Sequence, residues 1–216
     1  MKTALIAGSS GLVGSELLSR LITQPQYQKI HVLVRKPGEF SSSRIREHVI
    51  QFDDLENFSP GESIDHVFCT LGTTIKKAGT KENFRKVDHD YVLALGKLAK
   101  DWKAEKVLVV TALGANAGSA IFYNKVKGET EQALTGLDLP QLYIFRPSLL
   151  MGDRKEHRAG EKTAIAVYKI INPLFIGKLK KYKGVQASQV AKAMVAVALN
   201  NKEKLKIYES NEIQDF

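Results

Sequence analysis

A chain of 216 residues, 44% of them apolar and 25% charged, is long enough for one sizeable core and short for two ordinary domains. That composition excludes a disordered tail, a collagen-like repeat and a coiled-coil rod, and a single cysteine, Cys69, excludes an intrachain disulfide or a cysteine-based zinc site. A net charge of +9 admits nucleic acid, anionic lipid or a phosphorylated ligand as partner. The densest basic run, Lys178, Lys180, Lys181 and Lys183, carries one aromatic, Tyr182, rather than an array on which bases could stack, so we expect a solvated basic surface and no nucleic-acid partner.

Taken in chain order, Ala4–Ala7 is too short for a secretory apolar region, and the later apolar stretches are broken by Lys169, Pro173 and Lys192. Roughly 20 uninterrupted apolar residues are needed for a membrane helix. We therefore expect no signal peptide, no span and a cytoplasmic protein. Apolar, β-branched runs at Thr3–Ala7, Ile30–Val34, Val49–Phe52, His66–Thr70, Lys106–Thr111 and Leu142–Phe145 read as strands. Between them, helical spacing predicts Leu12–Ile22, Glu82–Asp101 (around Phe84, Val87, Tyr91 and Leu95) and Phe122–Leu134. Phe40–Arg46 reads as an exposed loop or short polar helix. Further helices are expected at Glu161–Ile171 and at Ser188–Leu199, with Ser188 as N-cap, and a weak strand at Leu205–Tyr208. This alternation predicts an α/β fold in a single domain over residues 1–216: a Rossmann-like, doubly wound parallel sheet with helices on both faces, residues from about 150 onward shaping the substrate side.

Directly after the first strand, Gly8, Ser9, Ser10, Gly11, Leu12 and Gly14 form a glycine-rich turn opening a helix. Glycine lets a pyrophosphate approach bare backbone, and the helix N-terminus supplies N–H donors and partial positive charge. The second strand ends in Val34, Arg35 and Lys36, where an NAD site would carry a carboxylate. A guanidinium there suits the 2′-phosphate of NADP, which a carboxylate would repel, so NADP is expected over NAD. Asp54 and Leu55, just after the third strand, are placed to flank the adenine.

Tyr123 and Lys127 stand four residues apart on a predicted helix and share a face. An ammonium beside a phenol lowers its pKa, so that tyrosine can exchange a proton while a nicotinamide exchanges hydride. The spacing alone is commonplace, and its position after the fifth strand is what supports it. Thr111, at the end of that strand, can polarise a carbonyl. Ser119, just before the predicted helix, is a second candidate hydroxyl.

Three segments, FCTLGTTIKKAGTKENFRKVDHDYVLALGKLAK, VVTALGANAGSAIFYNKVKGETEQAL and FRPSLLMGDRKEHRAGE, resemble an atypical short-chain dehydrogenase/reductase of the Tat-interacting protein group. The resemblance covers most of residues 1 to about 200. It implies an NADP-binding Rossmann-like fold, Thr111, Tyr123 and Lys127 as catalytic positions, and Gly8, Gly11, Gly14 and Arg35 on the cofactor. It further implies that Leu71 and Gly72 after the fourth strand, and Pro147 and Ser148 after the sixth, line the nicotinamide end.

The charged cluster Asp153, Arg154, Glu156, His157 and Arg158 follows the sixth strand and is a candidate substrate anchor. The five histidines show no metal spacing, and Cys69 reads as a small buried filler. The expected function is NADP(H)-dependent hydride transfer to or from a small carbonyl or alcohol. The alternative is an NADP(H)-binding redox sensor or regulatory protein without turnover, and self-association is compatible with either.

Overall fold

The computed structural model describes residues 1–152 and 182–216. The predicted helix Glu161–Ile171, the charged cluster at 153–158 and most of the lysine run lie outside the described residues.

Strands β1 (Lys2–Ala7), β2 (Tyr27–Val34), β3 (Ile45–Val49), β4 (His66–Cys69), β5 (Lys106–Val110), β6 (Leu142–Arg146) and β9 (Leu205–Glu209) form one sheet in the order β3-β2-β1-β4-β5-β6-β9. Every pairing is parallel. Alternation along each strand feeds two cores. Ala4 and Ile6 of β1, with Tyr143 and Phe145 of β6, pack on the face covered by α1 (Leu12–Thr23) and α6 (Ala187–Asn200). Leu5, Ala7, Leu142 and Ile144 pack on the other, against α4 (Tyr91–Asp101) and the end of α5 (Phe122–Thr135). Strands buried on both faces are the signature of a doubly wound sheet. A small second sheet pairs β7 (Leu150–Met151) with β8 (Val185–Gln186). Among the described residues no helix is long and apolar enough to cross a membrane.

Three expectations about elements are corrected. The third strand is Ile45–Val49 rather than Val49–Phe52, and Phe52–Asn57 is a 3-10 turn that buries Phe52 and Leu55. An edge strand buries one side chain, Ile45, so its pattern is faint, and the apolar run at 49–52 belongs to the turn beneath it. Arg44, just ahead of it, gives Nη1 to the carbonyls of Ile22 and Gln24 at 3.1 Å, tying this edge to the end of α1. The stretch 82–101 is not one regular helix: α2 (Ile75–Ala78) and α3 (Lys81–Arg85) lead into a π turn at Lys86–Asp90 before α4. Gln186, not Ser188, occupies the cap position of α6, and no side chain caps it.

At the amino edge of the sheet lies a buried polar cluster remote from any candidate chemistry. His66 of β4 is fully buried and shares a 2.7 Å hydrogen bond with the Tyr27 hydroxyl. Burial and the nearby Lys2 ammonium, opposed by Glu105, lower its pKa from 6.5 to about 4. Burial and His48 also lower the value of His31, whose Nδ1 lies 2.8 Å from His48 Nε2. The unfolded chain therefore takes up these protons at a higher pH than the folded one. Stability is full above pH 6.5 and falls as pH drops toward 4, by about 3 kcal/mol for His66 alone. Urea unfolding at intervals across that window should show this loss, and His66→Gln should flatten it.

Candidate functional site

Strand order reverses between β1 and β4, and the crevice at such a switch point is where open parallel sheets bind ligands. The carboxyl ends are level there: Ala7 pairs with Cys69, Cys69 with Val109, and Arg146 with Glu209. Residues just beyond these ends come together from Gly8, Thr70, Thr111 and Pro147.

The glycine turn is shaped by contact with its own backbone. Gly8 has φ +92°, and a Cβ there would meet the Thr70 carbonyl at 2.7 Å. A Cβ on Gly14 would lie 2.1 Å from Gly8 O. Gly11 is different, since its Cβ would meet Gly8 O at 3.2 Å and nothing closer. Gly11 is exposed at the N-cap of α1, no side chain caps this helix, and its first turn carries no acid. The amides of the first turn are thus left without side-chain or acidic partners, a donor set that fits a dinucleotide pyrophosphate. Ser9 is buried, Ser10 exposed and Leu12 half-buried in the same turn. A cleft of about 280 Å³ opens beside it, lined by Leu12, Ser15, Gly152, Gln186 and Ser188 among others.

Arg35 and Lys36 are exposed immediately beyond the carboxyl end of β2, the strand next to β1. Asp54 is exposed on the 3-10 turn, but the flanking role expected of Leu55 is corrected: its side chain is 1% exposed and belongs to the core with Phe52, Val92 and Leu95. Leu71 packs on that core, whereas exposed Gly72 lies by Asp88 and Lys127, a Cβ there falling 3.5 Å from Asp88 Oδ1 and 3.8 Å from Lys127 Nζ. Pro147 O accepts the Leu113 amide at 2.9 Å, bridging the loops after β5 and β6. Ser148 donates to the Lys183 carbonyl and receives Ser210 Oγ at 2.9 Å, so it anchors the segment entering β8.

Lys127 on α5 is 4% exposed, and its Nζ lies 2.7 Å from Oδ1 of Asp88, itself 1% exposed. Burial works against the ammonium, but Asp88, with Tyr123 and Cys69, outweighs it and holds the lysine above its ordinary pKa. Asp88 Oδ2 also accepts the Thr73 amide at 2.8 Å, and Thr130 Oγ1 of α5 donates to the Asp88 carbonyl at 2.9 Å. One aspartate therefore ties the loop after β4, the π turn and α5 together; single π turns often mark functional positions. Asp88 was not singled out in the sequence. Its signal is an acid at i+4 from Phe84 and i−4 from Val92, inside a buried helical stripe. Tyr123, half-buried against Phe84 at a ring separation of 5.5 Å, has its pKa raised by burial, lowered by Lys127 and raised again by Asp88, the net effect being upward. Lys127 does lower the phenol's pKa, as expected, but burial and Asp88 outweigh it.

The role expected of Thr111 is also corrected. Its hydroxyl is 6% exposed and donates at 2.6 Å to Glu131 Oε1, one helical turn beyond Lys127. Arg146, from the end of β6, grips the same carboxylate with Nε at 3.0 and 3.1 Å and with Nη2. Thr111 is therefore part of the clamp that seats α5 on the sheet. Ser119 lies in the loop before α5, its Oγ accepting the Ile121 amide at 3.1 Å. That loop crosses α5 at Gly128, where a Cβ would meet Ala117 N at 2.1 Å. Burial pushes the Cys69 thiol up to about 11, consistent with a filler. Among the described residues no group of three His, Cys, Asp or Glu is arranged to hold a metal.

The family described as HIM1 matches residues 31–183. The chain belongs to that family. It is 34% identical to "Protein FMP52, mitochondrial" of Eremothecium gossypii over 97% of this chain and 95% of that protein. To "Protein HTATIP2" of Rattus norvegicus it is 35% identical, over 74% of this chain and 67% of that one. It is thus similar to HTATIP2 as well as to FMP52, and its fold is that of epimerase and short-chain dehydrogenase structures. Its fold matches a UDP-glucose 4-epimerase of Thermotoga maritima with TM-score 0.71 at 14% identity, covering 96% of this chain and 76% of that one. The cytoplasmic expectation is corrected by the relatives' names, since the FMP52 proteins of Eremothecium, Candida and Saccharomyces are each described as mitochondrial.

Proposed function

We propose that this HIM1 chain is an NADP(H)-dependent oxidoreductase acting on a small carbonyl or alcohol, with Tyr123 as the acid and base. The observation that carries this reading is the buried Lys127–Asp88 pair, 2.7 Å apart, one helical turn from Tyr123 and at the same sheet edge as the glycine cradle. A buried ion pair is weak evidence of stabilisation, and perturbed titratable groups gathered at a crevice mark functional-site candidates. The amides at Gly11, Leu12 and the rest of the first turn of α1 would hold the pyrophosphate, with Arg35 and Lys36 on the 2′-phosphate. When bound, the reduced nucleotide supplies hydride. Tyr123 delivers a proton to the substrate oxygen, and Lys127 holds the phenol and the nicotinamide ribose in register. With Thr111 committed to Glu131, Ser119 is the hydroxyl we assign to the substrate: its bond to Ile121 uses the oxygen as acceptor and leaves the proton to donate.

That commitment of Thr111 favours a second reading, in which the nucleotide is bound and sensed without turnover. One experiment separates the two. Calorimetry should show NADPH binding more tightly than NADH to wild type and equally well to Tyr123→Phe. Across a panel of aldehydes and ketones the variant should lose about 10²–10⁴-fold in kcat, the usual scale of a positioned proton donor. Undiminished turnover in Tyr123→Phe, or tighter NADH binding, overturns the first reading. Absence of turnover in wild type with tight NADPH binding leaves the sensor.

A further inference from the structure

We propose that Asp88, by neutralising Lys127, keeps Tyr123 a proton donor at neutral pH, so that the site is built for carbonyl reduction rather than alcohol oxidation. This rests on the oxidoreductase reading above. In reduction the carbonyl takes hydride at carbon from the reduced nicotinamide and a proton at oxygen from Tyr123 Oη. The carbonyl π pair becomes the new O–H bond, the nucleotide leaves oxidised, and the phenolate recovers a proton from water. Oxidation needs the opposite ground state, a phenolate ready to receive the alcohol proton.

A lone ammonium within about 4–6 Å lowers a phenol's pKa by about 1–3 units and would make that phenolate accessible. Here the ammonium is not alone. Lys127 Nζ, one helical turn from Tyr123, sits 2.7 Å from a carboxylate as buried as itself, so the charge of the ammonium is offset by its partner. The groups around the phenol come from several elements: Lys127 from its own helix, Asp88 from the π turn, the uncharged Phe84 ring from α3, and, behind Lys127, the Cys69 thiol of β4. Asp88 is held in place independently of Lys127, through Thr73 and Thr130, so its charge is a fixed part of the site rather than a mobile counterion.

Asp88→Asn is the discriminating variant, because the amide can still accept the Thr73 N–H while leaving Lys127 to Tyr123 as its anionic partner. Tyrosinate absorbance is titrated without substrate in wild type, Asp88→Asn and Tyr123→Phe, and the Tyr123 signal is taken by difference. The expected result is a midpoint at or above 10 in wild type and at least about one unit lower in Asp88→Asn. The alkaline limb of the reduction rate should move down with it. A wild-type midpoint below 10, or a shift smaller than half a unit, overturns the proposal; if the variant does not fold, the double variant Asp88→Leu with Lys127→Met decides, since removing a neutral pair should leave the Tyr123 midpoint in place and a drift there of more than about one unit overturns the proposal. Turnover surviving in Tyr123→Phe would instead sink the catalytic reading, an outcome distinct from either titration result.

Discussion

Replacing Asp88 by alanine should lower the unfolding free energy by about 3–5 kcal/mol, because it strands an ammonium that is 4% exposed. The Thr73 amide loses its acceptor in the same step, which adds to the cost. Against the 5–15 kcal/mol that holds a typical domain, this is a large share. The complementary double variant, Asp88→Leu with Lys127→Met, removes both charges and should recover most of the loss while remaining inactive. Urea midpoints for the single and double variants measure this directly. A single variant as stable as wild type would mean that Lys127 escapes to water, and the buried pair would not be the organising feature of the site.

Gly14→Ala and Gly11→Ala should part company. A Cβ on Gly14 would fall 2.1 Å from Gly8 O and 2.7 Å from Thr70 Oγ1, inside a turn whose own geometry depends on Gly8 at φ +92°. Backbone has to move, and a loss of about 3 kcal/mol with collapse of nucleotide binding is expected. At Gly11, where φ is −76° and the nearest atom to a Cβ is 3.2 Å away, the fold should tolerate alanine within about 1 kcal/mol. Its methyl would nonetheless stand where the pyrophosphate approaches, so NADPH affinity should fall while the melting temperature of the free protein barely changes. Thermal melts with and without NADPH separate the two effects. Equal affinity in Gly11→Ala would show that nothing approaches the backbone there.

Much of the architecture could be read without coordinates. Strands such as β1, β5 and β6 are short and apolar throughout because both faces are buried, and the helices between them carry one apolar stripe, so period and length separate the two. The glycine turn and the pair Tyr123 and Lys127 were legible for a related reason: backbone approach and helical spacing are local properties that a few adjacent residues impose.

Where the reading went astray, the deciding contact was distant in sequence. The hydroxyl of Thr111 looks free on the chain, yet its proton goes to Glu131, twenty residues away, alongside Arg146. Leu55 reads as a loop residue beside a ligand, but the space above α4 is apolar and draws it inward. The periodicity around Asp88 marks it as an acid in a buried stripe but not its partners, the Thr73 amide and Lys127, the latter from a helix that begins more than thirty residues later. Local preference and hydrophobic period thus set the elements and the glycine turn. Which hydroxyl and which carboxylate remain available for chemistry was settled by packing, since a buried polar group takes whatever partner the assembled fold brings within about 3 Å.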